Sequence, residues 1–236
     1  WDVWTDLSPA LVRRFAAQST SVLELKTKTA RVDHLMGLPH GGRTILAWSL
    51  NTERVIREQE RGTAPLEARL RAAAAAAAAG YPVAFHFDPL VIYAGCEAEY
   101  RGVIERMFDS VRPDSVVWVS LGALRFMPEL KATVERRFPG STMVYGEFVP
   151  GLDGKMRYFK PLRMQLFRAL GGAIRARAPR LCTYLCMEDD EVWRYALGFA
   201  PAERGGLSRM LDEAAAGHCG VRGELSAGGE GTCADG

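Results

Sequence analysis

Residues 43–51, RTILAWSLN, decide the fold. Read as a strand, they put Ile45, Ala47, Ser49 and Asn51 on one face and Leu46, Trp48 and Leu50 on the other. The face that carries Ser49 and Asn51 turns polar only at its C-terminal end. Downstream stands TAPLEARLRAAAAAAAAG (63–80), a helix with Thr63 as a possible cap and Gly80 as its stop. Its Ala72–Ala79 run is strong helix former, not a low-complexity linker. A further strand follows, PVAFHFDP (82–89).

The alternation extends in both directions. Upstream lie LSPALVRRFAAQ (7–18), a helix opened by Ser8 and Pro9, and the strand SVLELKTK (21–28). Downstream come the helical stripe of EAEYRGVIERMFDSV (97–111), the strand SVVWVSLG (115–122) and helices over 128–138 and 161–177. The strand TYLCME (183–188) and DDEVWRYALG (189–198) close the periodic part. Strands alternating with helices specify an α/β fold with a parallel sheet. Residues 214–236, rich in Gly and Ala, lose periodicity and read as a disordered tail to a domain over 1–213.

With 236 residues, 48% hydrophobic and 25% charged, the chain suffices for one domain with a core. A net charge of +2 names no partner. Five cysteines without regular spacing point to a reducing, cytoplasmic setting. No apolar run approaches a membrane span, and no signal peptide is visible. The chain opens WDVWTD without an initiator Met, as expected of a piece of something longer.

Each strand becomes polar at its C-terminal end on one face: Glu24, Lys26 and Lys28; Ser49 and Asn51; His86 and Asp88; Ser120; Glu188. A barrel or open parallel sheet puts its site there. His86 and Asp88, two positions apart, read as an acid–base pair or as a satisfied core pair. Lys28 reads as a ligand lysine or a solvated strand end, Ser49 and Asn51 as ligand groups or a buried hydrogen-bonded pair. His34 reads as a turn residue with a local bond, Arg69 as part of a surface or inter-element salt bridge.

Cys182 and Cys186 open a C-x3-C spacing, but a C-x2-C continuation fails at Asp189. Four residues of strand span ~13 Å, so the two thiols cannot share one cluster. Cys186 reads as a small apolar residue, Cys219 and Cys233 as incidental tail thiols. Residues 155–180 hold eight basic residues and no acid, with Tyr158, Phe159 and Phe167 interleaved. That pattern suits phosphate contact.

The blocks LELKTKTARVDHL, TILAWSLNTERVI, GTAPLEARLRAA, AGYPVAFHFDPL, VSLGALRF, DGKMRYFKPLR and YLCMEDDEVW, in this order over roughly residues 1–198, resemble the spore photoproduct lyase and photolyase-like radical AdoMet family. The resemblance implies a partial (β/α)6 TIM-like barrel and S-adenosyl-L-methionine (AdoMet) as cofactor. It also implies a [4Fe–4S] cluster on cysteines upstream of this chain, which alone is then expected to be inactive. Lys28, Ser49, Asn51 and Asp88 match the cofactor pocket. Arg157 and Tyr158 match an Arg-Tyr pair near a DNA lesion, with Lys160 and Arg163 as further nucleic-acid contacts. Tyr158, His86 and Asp88 are the catalytic candidates. The implied activity is radical cleavage of a thymine lesion in DNA. The alternatives are a radical AdoMet enzyme with a non-DNA substrate and a non-catalytic nucleic-acid binder. Met156 stands where spore photoproduct lyase has Gly, and His86 and Asp88 stand where it is apolar and small.

Overall fold

The structure, a computed structural model, describes residues 2–221. In chain order its elements are α1 Asp2–Thr5, α2 Leu7–Ala16, β1 Leu23–Thr27, β2 Thr44–Ser49, α3 Glu53–Gln59, α4 Leu66–Ala78, β3 Val83–Leu90, α5 Cys96–Ser110 and β4 Val116–Ala123. There follow β5 Arg125–Phe126, α6 Pro128–Arg137, β6 Phe148–Pro150, β7 Met156–Tyr158, α7 Lys160–Arg177, β8 Cys182–Leu185, α8 Asp190–Leu197 and α9 Leu207–Cys219. Five strands form a parallel sheet in the order β1-β2-β3-β4-β8. α-Helices fill the crossovers from β2 onward, while the connection from β1 to β2 holds only a single 3-10 turn, Asp33–Leu35.

The two faces divide as the alternation in residues 43–51 requires. Leu46, Trp48 and Leu50 pack with Phe85, Phe87, Val119, Leu121 and Leu185 in the main core, against apolar stripes such as Tyr100, Ile104 and Met107 of α5. Ile45 and Ala47 lie on the opposite face with Ala84, Val117 and Trp118. That second face is not left bare. Ala215 and Cys219 of α9 pack on it near the strand starts.

Several local expectations shift. α2 begins at Leu7 with Asp6 as its N-cap, so Ser8 and Pro9 lie inside the first turn. α4 starts only at Leu66, and the Thr63 hydroxyl instead donates to the Glu60 carbonyl. Residues 214–219, expected in the tail, belong to α9: the small residues that break a large apolar stripe here suit close packing on Ala47 and Ala84. The remainder of the expected tail from residue 222, with Cys233, lies outside the described residues. Asp189, where a third cluster cysteine would stand, caps α8 by accepting the Val192 N–H at 3.1 Å.

Candidate active site at the strand ends

One rung of the sheet is polar across four strands. Ser49, His86, Ser120 and Tyr184 are successive register partners on β2, β3, β4 and β8. His86 is not bonded to Asp88. Its Nε2 meets the Glu24 carboxylate of β1, which reaches over the fully buried Ala47 on the intervening strand. Residues i and i+2 of a strand stand about 6.6 Å apart, while a carboxylate arriving across a methyl-sized neighbour comes within bonding reach. At the other end of the rung Tyr184 stands beside its register partner Ser120, and burial pushes the Tyr184 hydroxyl up to about 12.

Asp88 turns the other way, across β4. A Cβ on Gly122 would stand 2.7 Å from its carboxyl group, so glycine is what admits it. Beyond Gly122 lies Cys186, just past the end of β8, not as an apolar filler but in a polar contact. Arg125 Nη2 donates to its sulfur at 3.4 Å, and the Asp88 carboxylate is near enough to act on the thiol. Burial first, and Asp88 next, push the thiol up from its ordinary range.

At the ends of β1 and β2 a buried carboxylate organises the rim. Glu60 accepts from Lys28 Nζ at 2.7 Å and from Arg69 Nη2 at 2.6 Å. Arg69 is 0% exposed and also donates to the carbonyls of Ser49 and Ala64, both at 2.8 Å. It is an interior brace, not a surface pair. Burial works to raise the Glu60 pKa, and the two cations more than offset it, leaving the carboxyl below its usual range. Asn51 donates to the Pro89 carbonyl at 3.0 Å and to Glu60 at 3.4 Å, and accepts from the Tyr100 hydroxyl at 2.5 Å. Both of its amide hydrogens are thereby used. Ser49 faces the polar rung, and Lys28 keeps about a third of its side chain exposed beside Glu60.

The Arg-Tyr pair lies on a small antiparallel sheet, order β5-β7-β6, in which Arg125 faces Arg157. Tyr158 is 1% exposed and stacked on Phe148 at 4.2 Å, and its hydroxyl accepts the Ile92 N–H at 3.1 Å. Burial pushes that hydroxyl up to about 12. Tyr158→Phe leaves the Ile92 N–H without its partner and should cost about 1–2 kcal/mol, read from the urea midpoint.

The acid-free stretch 155–180 finds its acids on other elements. Arg157 pairs with Asp153 at 2.6 Å and also donates to the Met187 carbonyl at 3.0 Å. Lys160 pairs with Asp189 and Glu191, and Arg177 with Glu105 and Asp109. Arg163, 6% exposed, holds Glu188 in two bonds of 2.9 and 3.0 Å. Arg163 is therefore a core residue, not an open phosphate contact, and Glu188 is its counterion. His34 likewise bonds to the distant Asp2 at 2.8 Å.

The four described thiols do not converge on one point. Cys182 opens β8, Cys186 follows its end, and Cys96 and Cys219 are buried on α5 and α9. Among the described residues no group of three His, Cys, Asp or Glu side chains stands ready for a metal. Anaerobic incubation of this chain with iron and sulfide should yield no stoichiometric four-iron absorbance, since such a cluster requires clustered thiolates. A stable four-iron product would refute this.

No helix among the described residues is long and apolar enough to cross a membrane. A model of the family described as Spore photoproduct lyase matches residues 4–148, more than half of the chain. Spore photoproduct lyase of Bacillus subtilis (strain 168) is 33% identical over 139 residues, covering 58% of this chain and 40% of the relative. That of Clostridium acetobutylicum is 26% identical over 149 residues, 63% of this chain and 42% of the relative. A solved mutant of spore photoproduct lyase with bound AdoMet and dinucleoside spore photoproduct superposes with a TM-score of 0.72 at 26% identity, over 78% of this chain and 57% of that one. The chain thus spans about two fifths of the curated relatives it matches. The parallel sheet, the polar strand ends and these similarities agree: the chain belongs to the spore photoproduct lyase family.

Proposed function

We propose that the chain forms the larger part of the AdoMet- and lesion-binding half of a radical AdoMet enzyme that repairs a thymine lesion in DNA. The observation that carries this reading is the polar rim at the C-terminal ends of β1, β2, β3, β4 and β8, in a chain that superposes on a relative solved with AdoMet and the lesion. The donor set suits AdoMet: the partly exposed ammonium of Lys28, the Asp88 carboxylate and the Ser49 side chain. Bound AdoMet supplies the hydrogen-abstracting radical chemistry. The cluster belongs to cysteines outside this sequence, and the protein acts in the reducing cytoplasm.

This chain's own residues bind and orient. Glu60 fixes Lys28 at the rim, and Asn51 ties the end of β2 to the Pro89 carbonyl and to Tyr100 of α5. Tyr158 holds the Ile92 backbone, so it shapes the pocket wall from behind. The Glu24–His86 pair and the register partners Ser120 and Tyr184 form a polar floor. His86 and Asp88, in separate contacts, act as two independent polar groups.

One observation favours a second reading, a radical AdoMet enzyme with a non-DNA substrate: most cations of residues 155–180 are neutralised within the fold. Anisotropy titration of this chain with a lesion-bearing duplex and its undamaged counterpart at two salt concentrations separates the two. DNA repair requires binding that weakens with salt and prefers the lesion. Absence of binding to either duplex, with AdoMet bound, selects the second reading.

A further inference from the structure

Once the ion pairs are assigned, the rim still carries one half-buried guanidinium without a counterion. Arg125 forms no ion pair among the described residues. Among the described residues its guanidinium makes the weak contact to the Cys186 sulfur at 3.4 Å. A guanidinium has five donors, and sulfur is a poor acceptor for any of them. The neighbours that share its surroundings are differently placed. Arg157, its register partner on β7, is held by Asp153 and the Met187 carbonyl, and Arg163 by Glu188. The Asp88 carboxylate, packed over Gly122, also acts on the Cys186 thiol, and among the described residues it has no cation within ion-pair distance either. An unpaired cation and an unpaired anion thus both stand at Cys186, at the ends of β3, β4 and β8.

We propose that Arg125, Cys186 and Asp88 form a dipolar recognition site for a ligand that presents an anionic oxygen beside a hydrogen-bond donor. Arg125 takes the anionic oxygen in a charge-assisted bond, and Asp88 accepts from the donor. A nucleotide unit of DNA offers this chemistry, with its phosphodiester oxygen on Arg125 and a base N–H on Asp88. The inference deepens the reading under Proposed function and rests on it for the source of the ligand, but not for the anion site itself. Gly122 is part of the site because any side chain there would push Asp88 off the line to Cys186.

The test uses the 236-residue chain and its Arg125→Gln variant, checked for an unchanged thermal midpoint. Inorganic pyrophosphate is the first probe, and the readout is the rate at which iodoacetamide alkylates Cys186, followed by peptide mass analysis. Pyrophosphate should slow alkylation of the wild type several-fold and leave Arg125→Gln unaffected. No protection in the wild type, or equal protection in Arg125→Gln, overturns the anion site whatever the protein's substrate. A second arm tests the DNA source: Arg125→Gln lowers affinity for the lesion duplex about tenfold and the salt slope by about one, with AdoMet binding unchanged, and an unchanged duplex affinity overturns the assignment to DNA. A chain that binds neither DNA nor AdoMet defeats the proposed function, while the pyrophosphate result still decides the site. Should Arg125→Gln not fold, Arg125→Lys, which keeps the charge but not the fork, takes its place and should lose at least half of the protection.

Discussion

Arg69→Met should destabilise the fold by about 3–5 kcal/mol, the range for breaking a buried pair by removing one partner. Arg69 is 0% exposed, and its carboxylate partner Glu60 keeps 7% of its side chain in solvent. Methionine restores some of the volume but none of the four bonds to Glu60, Thr63 and the Ser49 and Ala64 carbonyls. Lys28 is then the one cation left on Glu60, with Asn51 as a longer hydrogen bond at 3.4 Å. The effect carries a pH signature. The folded pKa of Glu60 is depressed, so its contribution is complete above the unfolded carboxylate value of about 4.3 and is lost as the pH falls through the folded value. Urea titrations from pH 7 to pH 3 should therefore show a steeper loss of stability below about pH 4 in the wild type than in Glu60→Gln. Parallel acid limbs would mean that Glu60 is not held by its two cations.

Glu188→Ala should cost a comparable amount, about 3–5 kcal/mol, because it strands the Arg163 guanidinium in the interior. Arg163 sits in the first turn of α7 and its side chain spans the carbonyl of Tyr158 and both oxygens of Glu188, which follows β8. The pair joins the small antiparallel sheet to the main one. If Arg163 served a phosphate instead, Glu188→Ala would leave stability nearly unchanged and strengthen DNA binding. Denaturant midpoints and DNA anisotropy on the same variant separate the two outcomes. The double replacement Arg163→Met with Glu188→Leu should recover most of the loss, since no buried charge is then left unpaired.

The five parallel strands and their faces were legible because burial on a sheet imposes a period of two. Ser49 and Trp48 fall on opposite faces as read. The small sheet was not legible: β5, β6 and β7 have two or three residues each, too few to show a period. α9 was missed for a different reason. Its contact with Ala47 and Ala84 is made by Ala215 and Cys219, small side chains that give no strong apolar stripe. The partners of charged residues were the least legible feature. Glu24 lies 62 residues from His86, and Glu188 lies 25 from Arg163, so neither pair leaves a local signal. Residues 155–180 looked open to phosphate because the acids that neutralise them lie outside that window. Arg125 is illegible for the converse reason: one arginine in an apolar block carries no pattern, and it stands out only because Arg157 and Arg163 are paired while it has no carboxylate among the described residues.

The most direct test of the account joins this chain to the cluster. A protein that carries this sequence together with its cluster-binding segment, reconstituted anaerobically, is incubated with AdoMet, a one-electron reductant and a duplex bearing the thymine spore lesion. The account predicts that the two thymines are restored and that Arg125→Gln slows this restoration while cluster absorbance stays unchanged. A loaded cluster that cleaves AdoMet and leaves the lesion intact would contradict it.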